Sequence, residues 1–467
     1  MKIFDTLSKE KRDFIPIDIS NIGFYHCGPT VYWTQHIGNM RSVVLADVIH
    51  RSLIYAGYKV TFVRNYTDVG HLTSDGDHGE DKMEKGAKRE NKTPAEIAQK
   101  YIDIYEQDVA LLHVIPPTHT VWATKHIQEM IDMVEVLLKK GFAYQTDLAI
   151  YFDISKKLDY TKLSGQKLDE LLSGTGHGDV VDSEKKNPGD FALWFFKTGK
   201  HEHALQTWEN SFSKTEGFPG WHIECSAMSK KYLGETFDIH MGGIEHIPIH
   251  HTNEIAQSES ASGKSFVNYW IHNEHLLVND HKMSKSEGTS YVLQDILDKD
   301  FSALDLRYFF LQAHYRSKQN FTWDALEASK QARHSLSSKI ASYEDGGDIN
   351  TEFKKLFQNA IESDFAIPEA LSVLFAMLSS NISDTDKRAT ALDFDLVLGL
   401  GFDTYVNERV RALVQNELPQ NIQELLTQRI DARARKNWPL SDSIRDTLAD
   451  EGYEIKDSEL GQELYKK

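Results

Sequence analysis

Residues 21–39 read NIGFYHCGPTVYWTQHIGN, an apolar run that passes through a Gly-Pro turn towards a helix-like pattern. Hydrophobic residues then recur at intervals of three and four: Leu45, Val48, Ile49 and Leu53. Gly57 ends this pattern, and residues 59–66, KVTFVRNY, have the composition of a second strand. Strand, turn, helix and strand in this order predict a βαβ unit, whose parallel strands bind a ligand at their carboxyl ends.

His36, Gly38 and Asn39 fall where the first strand of this unit passes into the helix. The amino terminus of a helix presents unpaired N–H groups and the positive end of its dipole, so it favours a phosphate. Gly38 would let a ligand approach the backbone closely. Considered alone, a histidine at this position is in most proteins an ordinary surface or capping residue.

A second motif, KMSKS, occupies residues 282–286 and places Lys282 and Lys285 in a run of small and flexible side chains. Two such lysines suit a transient contact with a polyphosphate, whereas a solvated basic loop is the alternative for the motif alone. HIGN and KMSKS together form the paired signature of class I aminoacyl-tRNA synthetases.

Length and composition indicate a folded protein of two to four domains, with 467 residues of which 40% are hydrophobic. The amino terminus has no apolar run long enough for a signal peptide, and no later window approaches a membrane span. We therefore expect a soluble, cytoplasmic protein. Only two cysteines are present, and a metal or redox role fits them as well as a bridge does.

The formal net charge of -18 argues against wholesale electrostatic binding of nucleic acid. A local basic face can still bind a folded RNA, because phosphate contacts depend on local potential. Basic residues do cluster near the carboxyl terminus: Arg429, Arg433, Arg435 and Lys436. A solvated helix face is the alternative interpretation of this cluster.

Residues 217–257 are crowded with His, Cys, Glu and paired glycines. His250 and Glu254 are four residues apart and would share one face of a helix. With Cys27 and Cys225 they would complete a four-ligand site that suits zinc. From spacing alone His251 fits as well as His250, and two buried inert thiols are the alternative for the cysteines.

Other patterns predict the remaining organisation. Residues 68–94 are polar and rich in glycine, which indicates a long mobile loop over the site, and a helix follows from Pro94. We expect a further helix over residues 121–140. Beyond Lys285 repeated helical patterns predict an all-α bundle, followed by a basic helical hairpin over residues 422–448 and a short polar segment.

The sequence resembles the cysteinyl-tRNA synthetases from end to end. The motifs that carry the resemblance are CGPTVYWTQHIGN, VGHLTSDGDHGEDKMEKGA, SGQKLDELL, EKKNPGDFALW, GFPGWHIECSAM, FDIHMGG, HHTNEIAQSE, KMSKSEGT and ARARKNWPLSDSIRDTLADEGYEIKD. The resemblance implies an α/β Rossmann-like catalytic core with a connective insertion, followed by an all-α carboxyl-terminal bundle and a small anticodon-binding domain. The domain ranges that it implies are 1–118 and 216–275 for the two halves of the core, 119–215 for the insertion, 276–320 for a KMSKS stem-contact domain, 321–420 for the bundle and 421–467 for the anticodon-binding domain.

The resemblance also implies the site residues. Its zinc ligands, for one ion per chain, are Cys27, Cys225, His250 and Glu254. Its cysteine-binding residues are Cys27, Thr67 and Trp221. Its ATP-binding residues are Thr30, His36, Gly38, Asn39, Gly242, Gly243, Glu245 and Lys285, and its catalytic residues are His36, Asn39, Lys282 and Lys285. Its substrates are L-cysteine, ATP with Mg²⁺ and tRNA(Cys), and we expect a monomer that does not bind membranes.

Three positions depart from the family pattern. Asn39 replaces the second histidine of the usual HIGH tetrad, and Glu245 stands where an aspartate is common. The tail lacks the family's terminal tryptophan, so Leu464 or Tyr465 would have to face the anticodon in its place. Two alternatives share the fold: a ligase that joins cysteine to an amino sugar by the same adenylate chemistry, and an inactive RNA-binding homologue.

Overall fold

The computed structural model describes residues 1–70, 82–173, 182–283, 288–404, 418–435, 437–458 and 461–466. Within those ranges no helix combines the length and the apolar character that spanning a bilayer requires. The amino-terminal part forms these elements: β1 (Lys2–Asp5), β2 (Glu10–Asp13), β3 (Ile22–His26), α1 (Ile37–Tyr55), β4 (Val60–Tyr66), α2 (Lys82–Glu90), α3 (Pro94–Leu111), β5 (His119–Trp122), α4 (Ile127–Lys139), β6 (Ala143–Gln145), β7 (Ala149–Phe152), α5 (Leu168–Ser173), β8 (Phe191–Phe196), β9 (Gly217–Pro219), α6 (Trp221–Leu233), β10 (Phe237–Gly243), α7 (His250–Ser262) and β11 (Val267–Asn273). The carboxyl-terminal part forms these: β12 (Leu276–Val278), β13 (His281–Lys282), α8 (Leu293–Leu297), α9 (Ala303–Leu311), β14 (Gln319–Phe321), α10 (Trp323–Ala341), α11 (Thr351–Ile361), α12 (Ile367–Leu378), α13 (Asp384–Leu398), α14 (Gln420–Ala434), α15 (Trp438–Asp450), β15 (Tyr453–Ser458) and β16 (Gly461–Lys466).

Five strands form one parallel sheet in the order β11, β10, β3, β4, β5. Ile22 of β3 pairs with Val60 of β4 in parallel register, which confirms the predicted βαβ unit. From β3 the chain adds β4 and β5 on one side, and later β10 and β11 on the other. This change of direction creates a crevice at the carboxyl ends of β3 and β10, the usual position of a ligand in such a sheet.

Helix α1 lies between this sheet and the helices of the carboxyl-terminal part, and it is buried on most of its surface. Ile49 packs with Phe24 and Phe62 of the sheet. Val44, on another side of the helix, packs into the apolar cluster of the bundle. Burial of each side chain of this size stabilises the folded state by about 1.5–3 kcal/mol. Because such side chains pack on two sides of α1, the helix is held from two directions. Its first turn, which His36 caps, is therefore held in place.

The other face of the sheet is covered by α4, α6 and α7, whose apolar residues join those of the sheet in one cluster. Val63 of β4, Ile223 of α6, Ile255 of α7 and Trp270 of β11 all lie in it and are buried. Strands β6 to β9 form a separate antiparallel sheet, of which β6, β7 and β8 lie within the segment predicted as the insertion and β9 follows it. The domain boundaries drawn from the sequence stay predictions.

Two predictions of local structure were wrong. Residues 82–90, predicted as part of a mobile loop, form helix α2, because Met83 and Ala87 bury their side chains in the bundle cluster despite the polar sequence around them. The rest of that loop, residues 71–81, lies outside the described residues. The helix predicted from residue 121 begins at Ile127, because residues 119–122 pair with β4 as the edge strand β5.

The carboxyl-terminal part is helical as predicted, and α14 and α15 form the predicted hairpin. The polar end, however, folds into the antiparallel strands β15 and β16. Leu464 is 3% exposed in the small core of this unit, so it does not face outward to read a base. Arg429 is fully buried and does not belong to a solvated basic face. Lys436 lies outside the described residues, and nothing is described for the side chain of Tyr465.

Candidate active site

A cavity of about 490 Å³ opens at the carboxyl ends of β3 and β10, where the sheet topology places a ligand. It is lined by residues from both sequence motifs and from the histidine-rich region. The predicted site residues among its lining are Cys27, Thr30, His36, Gly38, Asn39, Thr67, Trp221, Cys225, Gly243, Glu245, His250 and Lys282.

Four side chains of the kind that bind metals converge at the base of this cavity. Cys27 follows β3, Cys225 lies on α6, and His250 and Glu254 share one face of the first turns of α7. The nearest donor atoms of these residues all lie within 4.8 Å of one another. Sγ of Cys27 is 4.0 Å from Sγ of Cys225, and both thiols are free. Nε2 of His250 is 3.0 Å from Oε1 of Glu254.

The electrostatics of this cluster fit a bound cation. Glu254 is fully buried, and its Oε2 has no hydrogen-bond partner among the described residues. Burial raises the pKa of Glu254 and of the Cys27 thiol, whereas a hydrogen bond from Cys27 lowers the pKa of Cys225 to about 7. A buried carboxylate oxygen without a hydrogen bond is costly, and a metal would satisfy it. Two sulfurs, one imidazole nitrogen and one carboxylate oxygen are a donor set that suits zinc.

A further histidine orients His250. Nδ1 of His222 lies 2.9 Å from Nδ1 of His250, so the hydrogen bond between them leaves Nε2 of His250 directed at Glu254. Trp221 stacks on the same imidazole with ring centroids 4.3 Å apart. Partners of this kind fix the tautomer and the ring plane of a metal ligand.

The structure also brings together a second donor set, of which the sequence indicated every member except His240. It consists of Cys27, His240, His251 and Glu254. Nε2 of His251 is 3.4 Å from Sγ of Cys27, and its Nδ1 is 2.7 Å from Nε2 of His272. The local geometry alone therefore keeps both His250 and His251 as candidate ligands.

A buried polar network lies behind the cavity wall at Thr67. The hydroxyl of Thr67 donates to Oε2 of Glu224 over 2.9 Å, and the side-chain amide of Asn65 donates to Thr67 over 3.3 Å. Oδ1 of Asn65 accepts from the backbone N–H of Gly28 over 2.9 Å. Glu224 is fully buried, and sequence reasoning missed it although it directly precedes Cys225.

The HIGN motif forms the start of α1. Nδ1 of His36 accepts the backbone N–H of Asn39 over 3.2 Å and so caps the helix. A Cβ added to Gly38 would lie 2.2 Å from Cε of Met283, within the KMSKS motif. The glycine thus permits the two motifs to touch. The close approach of a ligand to Gly38, suggested by the sequence, stays a prediction.

The two glycines at the end of β10 serve a similar packing role. A Cβ on Gly242 would meet Nδ1 of His246 at 2.5 Å, and one on Gly243 would meet the carboxylate of Glu245 at 2.3 Å. Gly243 and Glu245 line the cavity, whereas Gly242 lies behind this lining against the histidines.

Of the two lysines predicted to bind phosphate, only Lys282 lies within the described residues. Lys282 lies on β13, exposed at the wall of the cavity. Lys285 lies outside the described residues, so its predicted role stays a prediction.

Comparison with known proteins identifies the family. The family model described as "tRNA synthetases class I (C) catalytic domain" matches residues 13–331. A cysteine–tRNA ligase of Burkholderia lata is 42% identical over 466 residues, which cover 100% of this chain and 97% of the relative. A cysteine–tRNA ligase of Thermus thermophilus is 40% identical over 481 residues and covers 98% of both chains. The chain belongs to the cysteine–tRNA ligase family.

Solved structures agree with the class I fold of this family. A methionyl-tRNA synthetase of Mycobacterium tuberculosis in complex with methionyl-adenylate matches with a TM-score of 0.54 at 13% identity, covering 82% of this chain and 90% of that one. A leucyl-tRNA synthetase of Agrobacterium radiobacter in a ternary complex matches with a TM-score of 0.58 at 11% identity, covering 83% and 84%. At these identities the likeness shows the fold, a Rossmann-like core followed by a helical region.

Proposed function

We propose that this member of the cysteine–tRNA ligase family joins L-cysteine to tRNA(Cys) in two steps, of which the first consumes ATP. The observation that carries the proposal is the meeting of Cys27, Cys225, His250 and Glu254 beside the capped start of α1. Similarity over the whole chain to cysteine–tRNA ligases supports the same function.

One zinc ion would be held by Cys27, Cys225, His250 and Glu254. When bound, it supplies a soft Lewis acid that accepts the thiolate sulfur of cysteine, which the hydroxyl of serine matches poorly. His222 keeps His250 in the ligating orientation through their hydrogen bond. Such discrimination at the first binding event would make a separate editing site unnecessary.

The walls of the pocket would hold the remainder of the amino acid. Trp221 presents its ring beside His250, and Thr67 lies at the cavity wall, fixed by Glu224. A rigid pocket would hold the cysteine carboxylate near the phosphate that it attacks, and such positioning accounts for much of an enzyme's rate enhancement.

In the first step a carboxylate oxygen of cysteine attacks the α-phosphorus of ATP. A new P–O bond forms while the bond to the β-phosphate oxygen breaks, which gives cysteinyl adenylate and pyrophosphate. His36, Gly38 and Asn39 at the start of α1 would contact the phosphates, and Lys282 and Lys285 would bind the leaving pyrophosphate. Mg²⁺ bound with ATP would neutralise part of the charge. Positioned donors of this kind stabilise the transition state without covalent chemistry from the protein.

The adenosine would lie along the loop after β10. Thr30, Gly242 and Gly243 would shape this part of the site, and the carboxylate of Glu245 would accept from a ribose hydroxyl. Glu245 is exposed at the cavity wall, and its Oε2 is 3.7 Å from Nδ1 of His275. The side chain of Glu245 is longer than the aspartate common in the family, which would bring its carboxylate further into the cavity.

In the second step a hydroxyl of the terminal ribose of tRNA attacks the carbonyl carbon of the adenylate. The ester bond forms as the bond to the phosphate oxygen breaks, and AMP leaves. By analogy with class I enzymes the attacking group is the 2′-OH. The small unit formed by α14, α15, β15 and β16 would bind the anticodon region, and we expect one chain to act as a monomer.

Transfer of labelled cysteine to tRNA tests this function. The purified protein is incubated with ATP, magnesium and total tRNA, with labelled serine as the matched control. We expect charging with cysteine and none with serine. Cysteine-dependent pyrophosphate exchange without charging would contradict tRNA as the acceptor and favour an amino sugar, while the absence of both activities would favour an inactive homologue.

A further inference from the structure

Trp33 stands at the mouth of the cavity, three residues before His36. It is 36% exposed. A large exposed aromatic residue at the entrance of an active site is suited to contact with a planar group of a substrate.

A guanidinium holds this ring in a fixed plane. Cζ of Arg89 lies 3.9 Å from the centroid of the Trp33 ring, and Tyr101 is nearly parallel to that ring with centroids 6.5 Å apart. Nη2 of Arg89 donates to the carbonyl of Tyr32 over 3.0 Å and to the hydroxyl of Tyr101 over 3.1 Å. Because Arg89 is bonded to the backbone beside Trp33, the ring is oriented before any substrate arrives.

Glu90 helps to fix the position of Arg89 beside Trp33. Its Oε1 accepts from Arg89 over 2.9 Å, and its Oε2 accepts from Lys100 over 2.6 Å. Hydrogen bonds from Lys100, then Tyr101 and Arg89, lower the pKa of Glu90 to about 2. The carboxylate is therefore ionised at neutral pH and keeps Arg89 in place.

The segment that carries Arg89 is basic within an acidic chain. Residues 82–92 contain five basic and two acidic side chains, whereas the whole chain has a formal net charge of -18. Lys88 on this segment is 77% exposed. The helix α2 therefore places local positive charge next to the cavity mouth, where it favours a polyanion.

We propose that Trp33 stacks against a base at the unpaired 3′ end of the RNA substrate, while the basic residues 82–92 attract its phosphates. The inference rests on the proposed function, because an aminoacyl acceptor must bring its terminal ribose into this cavity. Aromatic rings bind the splayed bases of single strands with little dependence on sequence. Loss of one stacked base typically weakens binding by about 5- to 150-fold.

The test compares two RNA probes on the natural protein and three variants. Transcripts of tRNA(Cys) ending in CCA and in CC carry a 5′ fluorophore, and their dissociation constants are measured by anisotropy at one salt concentration. For the natural protein we expect the shortened RNA to bind about tenfold more weakly. For Trp33→Ala we expect nearly equal affinities for the two RNAs, and for Trp33→Phe most of the natural difference. Phe375→Ala, at a residue 44% exposed on the distant helix α12, is the matched control and should keep the full difference.

An equal loss on shortening in the natural protein and in Trp33→Ala overturns the proposal, as does no loss in the natural protein. A tenfold higher KM for ATP in Trp33→Ala, with an unchanged ratio between the two RNAs, would assign the ring to the adenine of ATP and also overturn it. Failure of the proposed function is detected separately, as absence of cysteine-dependent pyrophosphate exchange by the natural protein.

Discussion

Gly38 of the HIGN motif and Met283 of the KMSKS motif are in direct contact, since a Cβ on Gly38 would lie 2.2 Å from Cε of Met283. The two motifs are far apart in sequence and come from different parts of the fold. Their contact places Lys282, one residue before Met283, at the wall of the cavity that His36 also lines. The absence of a side chain at Gly38 therefore permits the two motifs to touch, and the atom that a Cβ would meet is the free end of the flexible Met283 side chain.

Gly38→Ala is expected to slow cysteine-dependent pyrophosphate exchange by about tenfold, because the added methyl group displaces Met283 and with it the preceding residue, Lys282. Met283→Ala removes Cε of Met283, the atom that the added methyl group would contact. The double variant should recover part of the lost rate, so that the two effects are not additive. Full activity of Gly38→Ala would show that the contact does not control the position of the KMSKS segment.

The zinc content of two variants should show whether His250 or His251 is the metal ligand. We expect His250→Asn to lose its zinc and His251→Asn to retain it, because His250 has both the 3.0 Å contact to Glu254 and the orienting bond from His222. Zinc content after dialysis, measured by atomic absorption, provides the readout. The reverse pattern would place the ion in the set that contains His240 and His251.

His222→Phe is expected to lower zinc affinity by about 10- to 100-fold while keeping the metal site intact, because the bond that orients His250 is lost. Competition with a chromophoric chelator measures this affinity. His201→Phe serves as a matched control, since His201 is also buried but lies in the insertion sheet region. An unchanged zinc affinity in His222→Phe would show that the hydrogen bond from this residue to His250 does not contribute to metal binding.

Protonation of His50 should contribute to the pH dependence of the protein's stability. Burial lowers the pKa of His50 from 6.5 to about 4, so the unfolded chain binds a proton between these values while the folded chain does not. Stability is therefore fully present above pH 6.5 and is lost as the pH falls towards 4, by roughly 3 kcal/mol for this group. His50→Leu should show a smaller fall in Tm between pH 7 and pH 5 than the natural protein. An identical fall in both would contradict this assignment.

The core of the fold was predictable from the sequence because its signals are local. The apolar period of residues 45–53 and the strand-like run of residues 59–66 identify α1 and β4. The predicted helical hairpin forms, although Trp438 and Pro439 begin its second helix rather than lying between the two. Helix α2 was not predictable, since only Met83, Gly86 and Ala87 are buried in a polar segment, and their partners come from elsewhere in the chain.

The site was predictable in part. The sequence indicated Cys225 and a histidine-rich region, and resemblance to a family was needed to choose between His250 and His251. His240 and Glu224 were missed because a polar residue in a strand or helix gives no sign in the sequence that it will be buried. Both are fully buried, and only the packing of α6 and α7 against the sheet places them beside the cysteines.

The central claim is that a metal at Cys27, Cys225, His250 and Glu254 selects the substrate through sulfur. Absorption of the cobalt-substituted protein tests it most directly, because a thiolate ligand adds a charge-transfer band to the spectrum of Co²⁺. We expect the band to increase on addition of cysteine and to stay unchanged with serine. An identical spectrum with cysteine and serine would contradict the claim and place the selection of the amino acid elsewhere in the cavity.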